Sequence, residues 1–348
     1  MSDDVVSLLV NGRLYLGWTS VQITKTMEAI AGSFSISATD RWSIDEEPWP
    51  IKPGDECVLK IGDDSVITGF VDSTNPSIES QRRSLSISGR DKAGDLVDCS
   101  DDVRPGEFKN LTALQIAQAL AKSFEISVSA DVDVGAPFSV FAIQPGETAF
   151  DAIARACQKR SLLPVSASDG SVKLLRTSVD RADDSLIEGQ NILRATANHS
   201  MNNRFSDYTI KSQAANVSGW SGKDAAQMKA ISKDTEVPRF RPRTVIESGD
   251  NKVSELQKRA DWEAASRAGQ STTANISVQG WRQSTERLWT VNELIFLRSQ
   301  AIQIEQDMLI KGVNFSLDIN GGQKVALSLT RPDAFLAEPP DPKNEALQ

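Results

Sequence analysis

Apolar and polar residues alternate through the first hundred positions. Leu14/Leu16, Phe34/Ile36/Ala38, Cys57/Leu59/Ile61 and Leu85/Ile87 recur at every second residue between polar neighbours, the period of a half-buried strand. Turn-forming clusters separate these runs: Asn11-Gly12, Pro53-Gly54-Asp55, Gly62-Asp63-Asp64-Ser65 and Asn75-Pro76. Short strands punctuated in this way predict a small barrel or sandwich over residues 1–100. Gly62–Ser65, between Cys57–Ile61 and Val66–Val71, predicts a hairpin.

From about residue 105 the period becomes helical. Thr112-x-x-Gln115 is a capping box, and Ile116, Ala117, Leu120, Ala121 and Phe124 share a helical face. The strand-like Ile126–Ala130 follows. A second helix opens after Pro145-Gly146 with Phe150, Ile153, Ala154 and Cys157 on one face, and the strand-like Leu162–Ala167 follows it. At an offset of 37, seven of the fifteen positions from 116 to 130 are identical, among them Ile116/Ile153, Lys122/Lys159 and Val128/Val165. These identities predict a helix–strand duplication inside an α/β module spanning 101–180.

After a hairpin-like pair at Asp169-Gly170 comes the polar stretch Asp180–Gln190. Residues 200–212 and 235–247 read as strands. Between them the Ser/Gly/Lys-rich Asn216–Lys223 is expected to be a mobile loop. Asp250 or Asn251 can cap a helix over 252–269 carrying Val253, Leu256, Ala260 and Ala264, with Gly269 as its stop. Val313/Phe315/Leu317/Ile319 and Val325/Leu327/Leu329 flank Asn320-Gly321-Gly322, a hairpin. Met308 and Ile310 have the opposite parity to Val313, so a bulge near Gly312 would restore one core face. The whole reads as a β-rich α+β protein: barrel-like domains over 1–100 and 181–335, the α/β module between them, and a Pro-rich disordered tail at 336–348.

Composition narrows the chemistry. The 348 residues carry 38 Lys+Arg and 47 Asp+Glu, a formal charge of −9, so no global basic field exists to hold duplex DNA. The one histidine, His199, excludes multi-imidazole metal centres within the chain. Cys57, Cys99 and Cys157 are widely spaced; a disulfide framework is not expected, and buried thiols suit a reducing compartment. The first residues lack a signal-peptide pattern, and no segment reaches the ~20 apolar residues of a membrane helix. A soluble product made in the cytoplasm, with no membrane insertion, is expected.

Catalytic motifs are absent. His199 lies beside Ser200 at a strand edge without a Gly-x-Ser-x-Gly elbow. Asp63-Asp64, Asp101-Asp102 and Asp183-Asp184 are adjacent acids whose side chains point apart, not a pair facing across a substrate. Cys157 sits at core spacing with Phe150 and Ile153, and Gly321-Gly322 is a turn. No catalytic residue, cofactor or metal ligand is expected. Two features point to interfaces instead. In Arg239-Phe240-Arg241-Pro242-Arg243, strand alternation would put Arg239, Arg241 and Arg243 on one face; a solvated edge strand is the alternative. Trp262 falls off the Val253/Leu256/Ala260 stripe and marks a second contact surface.

Several segments taken together carry a resemblance: Pro145–Ile153, Arg239–Gly249, Arg259–Ala264 with Ala268-Gly269, Gly280-Trp281, Leu309–Asp318 and Leu329–Phe335. In this order and spacing the chain resembles the baseplate hub proteins of Mu-type contractile-tailed phages, the late-control protein D or 43 kDa tail protein family, over most of residues 5–335. The resemblance implies two similar barrel domains side by side and three chains closing a ring. Such a ring would match a sixfold tail tube on one side and a trimeric central spike on the other, among other baseplate proteins. It further implies a virion tail protein without an enzymatic centre, lining a channel through which DNA passes without specific binding. A phage-derived bacteriocin or contractile injection machine would use the same hub. From other classes, a tail-associated peptidoglycan hydrolase needs a facing acid pair, and a carbohydrate-binding adhesin needs an exposed platform drawn from Trp18, Trp42, Trp49 and Trp220.

Overall fold

The computed structural model describes residues 4–40, 51–79, 82–100, 106–160, 162–213, 229–248, 253–319 and 321–335. Strand outweighs helix by 49% to 16%, which makes the molecule β-rich α+β. The first region contains β1 (Val6–Val10), β2 (Arg13–Tyr15), β3 (Ser20–Thr26), β4 (Ser33–Asp40), β5 (Glu56–Ile61), β6 (Asp64–Glu79) and β7 (Arg82–Asp91). The middle follows with α1 (Gly94–Asp98), β8 (Glu107–Leu111), α2 (Ala113–Ala121), β9 (Val128–Ala130), β10 (Phe138–Ala142), α3 (Ala149–Gln158), β11 (Leu163–Ser166) and β12 (Val172–Leu175). The last region runs through β13 (Leu186–Ile187), β14 (Ile192–His199), β15 (Asp207–Gln213), β16 (Lys229–Lys233), β17 (Pro242–Ser248), α4 (Val253–Gln270), β18 (Thr272–Gln279), β19 (Leu294–Ser299), β20 (Ile304–Asp318) and β21 (Gly322–Thr330).

The expected barrels do not close among the described residues. Strands from both ends of the chain instead share one 13-stranded sheet, in the order β14-β18-β21-β20-β3-β4-β7-β6-β5-β1-β2, with β19 pairing β20 and β13 pairing β19. At the seam β20 spends residues 312–318 on β3, so the two halves join side by side in one sheet.

The two halves of this sheet repeat each other. The run β3-β4-β7-β6 meets the run β14-β18-β21-β20 at β3–β20. In each, a long final strand also pairs through its first residues with the strand preceding it, β5 with β6 and β19 with β20. Both long strands carry a bulge against the hairpin partner that follows, between Val71 and Ser73 on β6 and between Ile310 and Gly312 on β20. The registers align Ser35 opposite Ser88 with Asn275 opposite Ser328, which superposes Ile36-Ser37 on Ile276-Ser277. One difference stands out: β1 runs antiparallel to β5, whereas β13 runs parallel to β19.

Alternation explains the shared core. Phe34, Ile36, Ala38, Cys57, Leu59, Ile61, Val313, Phe315, Val325, Leu327 and Leu329 all point into it. The bulge at Gly312 lets Met308, Ile310 and Val313 bury together despite their parity, as expected. Trp281 closes the core; its indole N–H donates to the carbonyls of Ser316 and Lys324 at 3.1 and 3.0 Å. Leu14 and Leu16 correct the pattern. They are 57% and 50% exposed, because the short edge strand β2 offers their face no opposing layer.

The middle module has a separate core under α2 and α3. Thr112 and Gln115 form the reciprocal capping box that the sequence indicates, and Thr148 caps α3 by accepting from the Asp151 amide at 3.1 Å. On α3, Ala152, Ile153, Ala156 and Cys157 are fully buried, while Phe150 and Ala154 are half-buried on an adjacent face. Each helix leads to a strand, and those strands flank β12 in opposite senses, β9 parallel and β11 antiparallel. Asp91, at the end of β7, joins the module to the large sheet. Its carboxylate accepts from the Gly32 amide at 2.7 Å and the Ser166 hydroxyl at 2.5 Å, while its second oxygen is buried without a hydrogen-bond partner.

In the last region β16-β15-β17 form a separate three-stranded sheet, covered on one face by α4. The second expected strand starts only at Pro242, and β16 was not foreseen. The loop Asn216–Lys223 and the tail 336–348 lie outside the described residues. Helix α4 continues through Gly269 to Gln270, so Gly269 is not the expected stop. A methyl group there would lie 2.2 Å from the Ala334 nitrogen. The missing side chain lets the Pro332–Phe335 turn pack against the helix backbone.

Candidate assembly interface

The small sheet is held to α4 by a compact arginine cluster. Phe205, just before β15, has the guanidinium carbons of Arg241, Arg243 and Arg267 at 5.4, 5.3 and 5.8 Å from its ring centre. Cations over an aromatic face are attracted by the ring quadrupole. Tyr208 meets the same ring edge-on and accepts a hydrogen bond from the Phe205 amide. Beside it Arg204, 5% exposed, pairs with Asp234 at 2.5 Å and with Glu236. The hydrogen bonds that the guanidinium donates to Asp234 hold it above its ordinary pKa, outweighing the loss of solvent. Arg259 and Arg267 bracket the buried Glu263 on α4 in the same manner.

This geometry overturns the expected three-arginine row. Because the strand begins at Pro242, Arg239 lies in a bend outside it. Arg241 and Arg243 turn toward Phe205, and Arg241 also donates to the Asn202 carbonyl at 3.0 Å. Arg239 remains exposed beside Phe240, which is 81% exposed. Trp262 does lie off the Leu256/Ala260 stripe. It carries Arg259 over its ring at 4.5 Å and lines a groove of about 430 Å³ with Met27, Phe150, Pro164 and Phe335. Across that groove it faces the middle module and the start of the sheet.

Opposite α4, the outer face of the small sheet is exposed among the described residues. Register places Ile231, Thr209 and Thr244 in one row and Lys229, Lys211 and Ile246 in the next. Ile231 and Ile246 are 43% and 66% exposed. On the large sheet, β14 and the second half of β6 each have one strand neighbour only among the described residues. The sequence reading singled out none of these surfaces.

The residues that could carry chemistry are occupied structurally. His199 sits exposed on β14 with Nε2 2.9 Å from the Ile302 carbonyl. Asp183 accepts from Thr285 and Arg287, and Asp184 from Ser284, so this acid pair ties the 180s to the 280s. Asp64 pairs with Arg282, which also holds Asp4, joining the first region to the last; Asp101-Asp102 lie outside the described residues. Burial pushes the thiols of Cys57 and Cys157 up to about 12, which keeps them protonated and inert. Among the described residues no group of three His, Cys, Asp or Glu could hold a metal. No described helix is long and apolar enough to cross a membrane. Trp18 is 7% exposed in the core and cannot serve a sugar platform; Trp42, Trp49 and Trp220 lie outside the described residues.

What remains among the described residues is a long sheet with strands paired on one side only and faces that are charged and partly apolar. Known proteins place it more closely. Family models match at residues 5–91 (Mu phage baseplate assembly protein GpP-like, N-terminal), 93–176 (baseplate hub protein gp44-like, second domain), 204–262 (tail protein NMB1110-like, third domain) and 252–338 (Mu phage baseplate assembly protein GpP, fourth domain). Baseplate hub protein gp44 of Escherichia phage Mu is 30% identical over 342 residues, 96% of this chain and 89% of that protein. The crystal structure of the 43 kDa tail protein of prophage MuSo2 from Shewanella oneidensis is 35% identical, with a TM-score of 0.86 over 97% of this chain and 100% of that one. A more distant structure, the E. coli c3393 protein of the type VI secretion system, shares the fold at 10% identity and a TM-score of 0.55, over 92% of this chain and 76% of that one. The chain belongs to the Mu-like phage baseplate hub family, the 43 kDa tail proteins. It is a structural component of a phage tail baseplate.

Proposed function

We propose that three copies of the chain close a ring that adapts a sixfold tail tube to a threefold central spike and lines the channel through which the genome leaves. The repeated halves of the large sheet carry this reading. A subunit built from two equivalent four-strand runs, used three times, presents a sixfold pattern to the tube while keeping threefold symmetry for the spike. Rotational closure of a head-to-tail contact yields such a ring without leaving an open surface. The family's baseplate names support the setting. The charge of −9 suits a channel that must release DNA, since a basic lining would hold phosphates. Tube, spike and neighbouring baseplate proteins are the partners this role requires; DNA is a passing cargo.

Light scattering of the purified chain tests the ring. The expected mass is three times the 37.9 kDa of one chain, with annular particles in negative stain. Compact particles of two or four chains would overturn it.

A further inference from the structure

The chain's halves meet where β20 pairs with β3, and two of the sheet's edges among the described residues, the second half of β6 and β14, are the counterparts of those same strands. On β6, the bulge at Asp72 takes the place of the bulge at Lys311 on β20. This alignment sets Asn75, Ser77, Ile78 and Glu79 on Asn314, Ser316, Leu317 and Asp318. On β14, Ala195 faces Ile276 as Val21 on β3 faces Ile36, so β14 stands in the position of β3. Inside the chain β20 and β3 are zipped antiparallel from Gly312–Thr26 to Asp318–Ser20. The equivalent residues are unzipped. Beyond Phe70, β6 leaves β5 and among the described residues keeps only β7, and β14 keeps only β18. Such edges offer rows of backbone donors and acceptors to another strand. Ile78 is 72% exposed, whereas its counterpart Leu317 packs against the shared core.

We infer that these edges join neighbouring copies: β6 of one chain pairs antiparallel with β14 of the next, in the register that β20 and β3 use. The inference rests on the ring reading above and names its seam. Carried over, the register sets Asn75 opposite Asn198, Ser77 opposite Thr196, Ile78 opposite Ala195 and Glu79 opposite Arg194. Within the chain Asn314 donates to the Thr24 hydroxyl at 2.6 Å; Asn75 and Asn198 occupy the matching positions. Pro76 removes one N–H from the strand, which leaves the rest of the ladder available. The contact uses different strands on its two sides, the head-to-tail form that closes by rotation.

Cysteine pairs read the register directly. Ser77→Cys combined with Thr196→Cys, in a Cys99→Ser background because Cys99 is exposed, should give covalent dimers and closed trimers on non-reducing gels after mild oxidation. Ser77→Cys with Ala195→Cys, one residue out of register, should stay largely uncrosslinked. Light scattering before oxidation separates the two readings. A trimer that never crosslinks, or that crosslinks equally in both pairs, overturns the seam and leaves the ring. A chain that forms no ring overturns both.

Discussion

The large sheet and the small one solve the same problem differently. Both put alternating residues against a covering layer. The large sheet buries an extensive aliphatic core whose polar groups lie mostly in the backbone ladder. The β16-β15-β17 sheet buries a small apolar set, Ile210, Ala230, Leu256 and Ala260, together with Tyr208, and leans on Arg204, Glu263 and the arginines around Phe205. A core held by apolar area fails through cavities. One held by desolvated charge fails when a partner is removed and its counter-charge stays buried. The large sheet is thus built to be a rigid frame and the small unit a separately stabilised appendage.

Substitutions should separate the two regimes. Leu327→Ala, fully buried where β21 lies between β18 and β20, should cost about 3–4 kcal/mol and lower the main unfolding transition in denaturant. A loss below 1 kcal/mol would show that the sheet does not unfold as one core. Arg204→Ala leaves the Asp234 carboxylate, 7% exposed, without its partner, and should cost about 3 kcal/mol locally. Hydrogen exchange should quicken in β15–β17 while β18–β21 keep their protection; uniform acceleration would mean that the two units are one cooperative body. Gly269→Ala forces α4 away from the Pro332–Phe335 turn, a loss of about 2 kcal/mol expected in the same melting experiment, with no change as the contrary result.

The smallest effect concerns the joint at Asp91. Loss of solvent raises its pKa above the ordinary 3.8, against the opposing help of Ser166, the Gly32 amide, Lys25 and the Ala93 amide. Such a carboxyl holds its proton more tightly folded than unfolded. Its contribution is therefore present below 3.8 and is lost as pH rises through the raised value. Melting temperatures measured upward from pH 3.8 should show Asp91→Asn gaining on the natural protein. Curves that stay parallel would remove Asp91 as the titrating group.

Much of the frame was legible because alternation reports burial directly. The bulge at Gly312 was legible because a change of parity between Ile310 and Val313 has one cheap remedy. The small sheet was not. Ile231 faces outward on β16 and so disguises a strand whose inward residue is Ala230. The arginine row failed because Pro242 marks the start of β17, turning two of its members toward Phe205. The repeat within the large sheet left only sparse identities, such as Ile36-Ser37 with Ile276-Ser277. Backbone pairing conserves strand order, whereas each buried position demands only an apolar residue. Seam positions were hidden for the same reason, although Asn75-x-Ser77 and Asn314-x-Ser316 were there to be matched.

A single-particle reconstruction of the purified chain tests the central claim most directly. The account predicts a threefold ring in which β3-β4-β7-β6 and β14-β18-β21-β20 alternate around the axis at nearly equal spacing, so that the wall shows approximate sixfold symmetry. A ring in which only one of the two runs borders the channel, or in which they lie at unlike radii, would contradict it.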